Sequence, residues 1–372
     1  MNMWKIRRPQ WSAAVLPAAT AALLLRLIGC ALAGDPTSGT LREAIFVTNM
    51  GGNYVTIYDL KSTRDVPPLG NVDGTFVDRV FSSVVQGASG LDDPSGVALD
   101  PAGNIYVANM SGGGSYTGTI VVFRAGAHGS AKPIAKIDGP DTGLYTLKAI
   151  AVDSTGNIYA TRQGYDYGGS PPGINMYSAG STGNIKPTAV ISGPNTGIEN
   201  LEGIAVDSKG SIYVTNNGDP GSVLVFPPGS NGDVKPSDVI VGRSNTALAA
   251  LTLDSSGNIY AVRLNGTGRS RSQSVVIYRA GSNGDVPPVA TISGPKTGLA
   301  EPNYTIRGMA VDSSGNIYVA GEIASWKKEI SRIIVYGAGS DGDVPPRAII
   351  EGPHTKLYGA FGIAVGPYSG AR

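Results

Sequence analysis

One stretch, Gly308-Met-Ala-Val-Asp-Ser-Ser-Gly-Asn-Ile-Tyr-Val-Ala320, recurs along the chain and constrains its fold more than any other feature. Near-copies occupy residues 96–108, 149–161, 203–215 and 250–262, and a truncated echo, Gly362-Ile-Ala-Val-Gly366, lies near the C-terminus. The marker aspartates Asp100, Asp153, Asp207, Asp254 and Asp312 are 53, 54, 47 and 58 residues apart. Repeats of that length, made of short apolar runs without helical periodicity, form sheet units that bury their faces on one another.

Each copy resolves into four short strands rich in Val, Ile and aromatics, separated by turn residues. In the last full copy, strand a is expected at 308–311, b at 317–320, c at 332–336 and d at 347–350. Between a and b, Asp-Ser-Ser-Gly-Asn offers a carboxylate for backbone N–H groups and a glycine suited to positive φ. Between c and d runs Ala-Gly-Ser-Asn/Asp-Gly-Asp-Val-x-Pro, at 280–288 and 338–346. Its proline opens the outermost strand, where a missing N–H costs least. Asp341 and Asp343 there look faintly like a calcium loop, but the matching positions are Asn283/Asp285, Thr182/Asn184 and His128/Ser130, so they read as turn chemistry.

Residues 43–49 and 54–59 match the second and third strands of later copies, and nothing ahead of them matches the first. The C-terminal segment 362–365 supplies that strand and closes a ring. The expected fold is all-β, with six four-stranded antiparallel units. The first combines 42–93 with 361–366; the others are 94–147, 148–201, 202–248, 249–306 and 307–360. Residues 367–372 are left as a tail.

This pattern resembles the NHL-repeat family of six-bladed β-propellers over residues 42–366. The resemblance rests on Gly-Ile-Ala-Val-Asp-x-x-Gly-Asn-Ile-Tyr-Val and the strand-c aromatic, and it implies a fold only. Propellers host enzymes, sensors and scaffolds alike. The blades here are longer than is usual in that family, through their c–d and d–a segments.

The N-terminus is a different kind of sequence. Lys5, Arg7 and Arg8 precede an apolar run at 13–25 that has signal-peptide length. Residues 1–33 are expected to be a signal peptide and 34–41 a linker. Two exits are legible: Leu27-Ile-Gly-Cys30 resembles a bacterial lipobox, and Ala31-Leu-Ala33 fits an ordinary cleavage site. Cys30 is the only cysteine, cannot form an internal disulfide, and sits where a lipid anchor needs it, which favours an exported lipoprotein of the cell envelope over a soluble secreted or periplasmic protein. Removing 1–29 takes away Lys5, Arg7, Arg8 and Arg26 and no acid, so the net charge moves from +1 to −3. Nucleic acid is therefore not an expected partner, and the membrane is expected only through the anchor.

The a–b and c–d turns are nearly uniform, whereas the b–c and d–a connections vary, which marks the second face as the working one. Tyr116, Tyr165, Tyr167 and Trp326 lie in its b–c loops and suit a protein- or glycan-binding rim. The channel mouth is expected to gather the strand-b ends Asn49, Asn109, Arg162, Asn216, Arg263 and Glu322 with the strand-a starts Ser95, Lys148, Glu202, Ala250, Arg307 and Phe361; Arg263 and Arg307 join the binding residues. Glu202 resembles the acidic metal ligand of gluconolactonase-type propellers, which implies an alternative: a metal-dependent lactonase-like hydrolase with Asn216 and Asn109 completing an oxygen-rich site for Ca²⁺ or another divalent cation. The two histidines, His128 and His354, fall at a c–d turn and a d–a connection, expected on opposite faces, unlike the His-rich zinc site of amidating-lyase propellers. No nucleophile elbow is present. The leading expectation is a monomeric, non-enzymatic, cofactor-free propeller that binds a protein or glycan.

Overall fold

A computed structural model of the chain describes residues 42–73, 89–110, 118–164, 171–266, 272–323 and 330–369. The described residues form six separate four-stranded antiparallel sheets, each running outward from strand a to strand d. In the first sheet the order is the C-terminal strand Ala360–Tyr368, then Arg42–Asn49, Tyr54–Asp59 and Gly70–Asp73. The architecture is the six-bladed β-propeller expected from the repeats, closed by the C-terminal strand in the first blade.

That closing strand is longer than the 362–365 segment suggested by the repeat. It pairs from Ala360, opposite Asn49, to Tyr368, opposite Arg42. Pro367 is accommodated on this strand opposite Glu43. Tyr368 fixes the end: it is 2% exposed, meets Phe46 edge-on at 6.0 Å between centroids, and carries the Arg42 guanidinium 5.6 Å from its ring centre.

The repeat motif is explained by four hydrogen bonds to one carboxylate. In the last blade Asp312 Oδ1 accepts the N–H groups of Ser314 and Asn316, at 2.9 and 2.8 Å. Its Oδ2 accepts from Asn316 Nδ2 at 2.7 Å and from the Tyr318 hydroxyl at 2.9 Å. Gly315 in the same turn has φ +82°. The same carboxylate-centred turn recurs at Asp100, Asp153 and Asp254. Burial and the charge of Asp312 raise the Tyr318 phenol far above its ordinary value, so it stays a donor.

The motif's first glycine has a separate cause. A Cβ on Gly308 would stand 2.4 Å from the Phe361 carbonyl oxygen and 3.0 Å from the Ile363 nitrogen, in the neighbouring blade's inner strand. Inner strands converge on the axis, and a hydrogen at this position lets two backbones approach.

Packing is between blades. The apolar clusters each join two adjacent sheets, as where Val223 and Ile240 of the fourth meet Leu248, Leu251 and Tyr278 of the fifth. At the perimeter each strand d also bridges in parallel to the c–d segment of another blade: Ile137 to Gly183, Ile191 to Gly232, Ile240 to Gly284, Ile292 to Gly342, Val72 to Gly129, and Ile350 to Arg64. The c–d segment thus climbs along its neighbour's outer strand and covers an edge that would otherwise present unpaired backbone groups. This is what the extra blade length builds. At the perimeter the start of a d–a connection also meets a c–d segment of the next blade, as where Asp65 accepts the His354 N–H.

Candidate binding site at the channel mouth

The pairing of strands a and b shifts register in every blade, at the same place. In the sixth blade the shift lies between Ile306 and Gly308, so Arg307 is the unpaired residue. The equivalent shifts fall around Ser95, Lys148, Glu202, Ala249 and Phe361. β-Bulges re-aim side chains, and these six turn one residue per blade toward the axis. The backbone N–H that follows is taken up by a strand-b hydroxyl in three blades: Gly362 to Thr48, Ala149 to Thr161 and Gly203 to Thr215.

The sequence expectation holds here for Ser95, Lys148, Glu202, Arg307 and Phe361, all of which line the central channel. In the fifth blade Ala249 sits in the shift, directly ahead of Ala250, whose position matches the motif glycine. The channel encloses about 440 Å³ and is walled by the six inner strands. Its charged lining residues, among those described, are Lys148, Glu202 and Arg307. Further along the same strands Ile150, Ile204, Leu251 and Met309 are buried in the clusters between blades.

Arg307 is fixed on that rim. Its Nε and Nη2 both donate to Glu322 Oε1, at 3.2 and 2.9 Å, and its guanidinium lies 5.4 Å from the centre of the Phe361 ring. Glu322 extends strand b of the same blade, Ile317–Ile323. A cation held over an aromatic ring offers a ligand two kinds of contact without ordering a loose side chain first.

Among the strand-b ends Glu322 reaches the rim through Arg307, whereas the three asparagines do not line the channel. Asn109 is fully buried; its Nδ2 donates to Gly90 O and Thr119 Oγ1, and its Oδ1 accepts the Asp92 N–H. Asn216 Oδ1 accepts two backbone N–H groups, from Glu199 and Asn200, and its Nδ2 donates to Gly197 O. Asn49 likewise receives the Tyr358 N–H. These amides clamp the d–a connections, and both lone-pair directions of the Asn216 oxygen are already used. Glu202 therefore does not gain the two amide ligands proposed for it. Among the described residues no three His, Cys, Asp or Glu side chains converge, and Glu202 with two committed amides does not fit the oxygen cage a Ca²⁺ ion takes.

Arg162 and Arg263 also lie off the channel. Arg162 Nε donates to Asn175 Oδ1 at 3.0 Å. Arg263 stands opposite Leu248 and Ser274 on the side of the fifth blade that packs on the fourth. Tyr116, Tyr165, Tyr167 and Trp326 lie outside the described residues, as do Cys30 and the rest of the N-terminal segment. The bulge position was legible only in part, since the repeat shows which residue precedes the glycine but not that it leaves the ladder.

The SBBP beta-propeller repeat matches residues 297–325, in line with the expected repeat propeller. No curated protein matches the chain. Among solved structures, a protein of unknown function from Bacteroides caccae superposes with a TM-score of 0.56 at 12% identity, covering 87% of this chain and 98% of that one. A PQQ-bound aldose sugar dehydrogenase from Streptomyces coelicolor gives 0.47 at 18% identity, over 76% and 88%. A gluconolactonase from Xanthomonas campestris gives 0.42 at 13%, over 76% and 86%. At these identities the likeness is one of fold.

Proposed function

We propose that the protein is an exported, non-enzymatic binding propeller that engages a protein or glycan at the channel mouth and the surrounding b–c and d–a connections. The observation that carries this is the gathering of Lys148, Glu202 and the Arg307–Phe361 pair on one rim of the channel. A concave apolar space with a few placed polar groups is how proteins hold ligands. Tyr116, Tyr165, Tyr167 and Trp326 extend the same surface in this proposal, and Cys30 tethers it to the envelope.

Capture from envelope extract tests the surface. The wild-type chain should retain a partner that the Arg307→Ala/Phe361→Ala variant releases at unchanged melting temperature, and equal capture by both overturns the proposal. Metabolic palmitate labelling tests the anchor: label is expected on the wild type, and label persisting on Cys30→Ala refutes lipidation there.

A further inference from the structure

Four of the junctions between blades share one device, and the junction between the fourth and fifth blades lacks it. A Gly-Pro-x-Thr 3₁₀ turn begins the d–a connection at Pro140–Thr142, Pro194–Thr196, Pro295–Thr297 and Pro353–Thr355. The carbonyl of its threonine accepts the strand-c phenol of the next blade: Tyr177 on Thr142, Tyr336 on Thr297 and Tyr58 on Thr355. Between the fourth and fifth blades the chain instead reads Gly242-Arg243-Ser244-Asn245, and the turn is missing. This connection falls in the shortest repeat spacing, 47 residues.

The missing turn removes acceptors. In the third blade Arg162 donates to Asn175, which passes the chain of hydrogen bonds on to the turn carbonyl of Gly143 at 2.9 Å. In the fifth blade the matching arginine is Arg263, and the position of Asn175 is taken by Val276, which cannot accept. Arg263 Nε is buried with no hydrogen-bond partner. Ser274, directly across the ladder, is 1% exposed, and its Oγ is also buried without a partner. Opposite residues of an antiparallel pair project to the same side, so two orphaned donors face one space. Arg243, exposed on the fourth blade's connection, brings a second guanidinium whose charge reaches both Arg263 and Tyr278.

Nothing described neutralises this pair. Neither Arg243 nor Arg263 makes an ion pair among the described residues. Of the nearby acids, Asp219 accepts the Asn245 N–H at 2.6 Å, and Asp285 acts on Tyr278 from the c–d segment. Burial holds the Arg263 guanidinium below its ordinary value, and Arg243 pushes the same way. Buried donors without acceptors are costly and rare, and a guanidinium fork matches the two oxygens of a carboxylate or phosphoryl group.

We propose that the junction between the fourth and fifth blades is an oxyanion-binding site, in which Arg263 Nε and Ser274 Oγ donate to the ligand and Arg243 adds charge at its open side. The oxyanion takes the place of turn carbonyls such as those of Thr142 and Gly143 at the junction of the second and third blades. This site is separate from the channel mouth and does not depend on it.

Titration of the full mature chain with acetate, glucuronate, phosphate and sulfate, at ionic strength held constant with chloride, tests it by calorimetry and thermal shift. At least one oxyanion should bind saturably and raise the melting temperature where chloride does not. Preference for acetate and glucuronate identifies a carboxylate source, and preference for phosphate a phosphoryl one. Arg263→Gln should weaken binding about tenfold or more, and Ser274→Ala a few-fold, as expected for hydrogen bonds to a charged group. Should Arg263→Gln not fold, the exposed Arg243→Gln carries the test, with a loss of about tenfold. No saturable binding of any oxyanion by the wild type, or unchanged affinity in the folded arginine variant, overturns the site.

Discussion

Asp65, in the c–d segment of the first blade, accepts the backbone N–H of His354 from the sixth at 2.7 Å, and its second oxygen stands 2.6 Å from the His354 ring Nδ1. The same cap joins Asn184 to Asp141 at 2.8 Å, Asp233 to Asn195 at 2.7 Å, and Asp343 to Lys296 at 2.8 Å. Of the two aspartates that resemble a calcium loop in sequence, Asp343 thus caps a neighbour's 3₁₀ turn, and Asp341 accepts the Thr291 N–H of the same neighbour's outer strand.

The Asp65 cap has a charge component that pH exposes. Partial desolvation pushes its carboxyl up, but the hydrogen bonds and charge of His354 outweigh it and hold the value below the ordinary one. A carboxyl depressed in the folded state stabilises fully above its unfolded value and loses that contribution as pH falls through the folded one. Asp65→Asn keeps an oxygen for the His354 N–H, as Asn184 does for Asp141, and lacks the charge. Its melting temperature should lie below wild type near pH 5, with the gap closing below about pH 4. A gap unchanged through the acid range refutes the charge contribution.

Removing the turn carboxylate should be costly where all four of its bonds are made. Asp312→Ala leaves two backbone N–H groups and the Tyr318 hydroxyl, on a residue 2% exposed, without an acceptor. We expect a loss of about 2–4 kcal/mol in denaturant unfolding. Asp207→Ala should cost less, since Ser211 replaces the asparagine and the Tyr213 hydroxyl is 3.4 Å away. Equal losses would show that neither the asparagine bond nor the shorter tyrosine bond adds stability.

Ring closure can be probed at its last residue. Tyr368→Ala removes a buried ring that holds Phe46 and Arg42, and should cost about 3–5 kcal/mol, by analogy with other buried aromatics. Tyr368→Phe should stay within about 1 kcal/mol of wild type. If both variants unfold alike, the ring itself is not what seals the blade.

Gly308→Ala should lower stability by about 1–3 kcal/mol, because the backbone of the next inner strand cannot yield freely. Gly96→Ala, whose closest contacts begin at 3.2 Å, should be milder. Chemical denaturation of the two variants side by side decides the order.

Strand content, blade number and closure were legible because they are written locally, in short apolar runs and in Asp-x-x-Gly-Asn. The caps were not. Asp343 meets Lys296 47 residues earlier, and Asp65 meets His354 across 289; no local pattern announces such pairs. Asn109 and Asn216 misled for a related reason. An amide at a strand end reads equally as ligand or clamp, and only burial with its donors and acceptors filled separates the two. At the mouth, repeat alignment brought Lys148, Glu202 and Arg307 together because the bulge recurs at one offset.

The perimeter bridges have a direction. Each blade reaches onto one neighbour and is reached by the other, so every repeat contributes one hook and one eye. A repeat duplicated in tandem would bring both and leave the circle able to close, whereas a repeat cut at half its length would leave one of each unmatched. Propellers of this design are therefore expected to change size by whole blades.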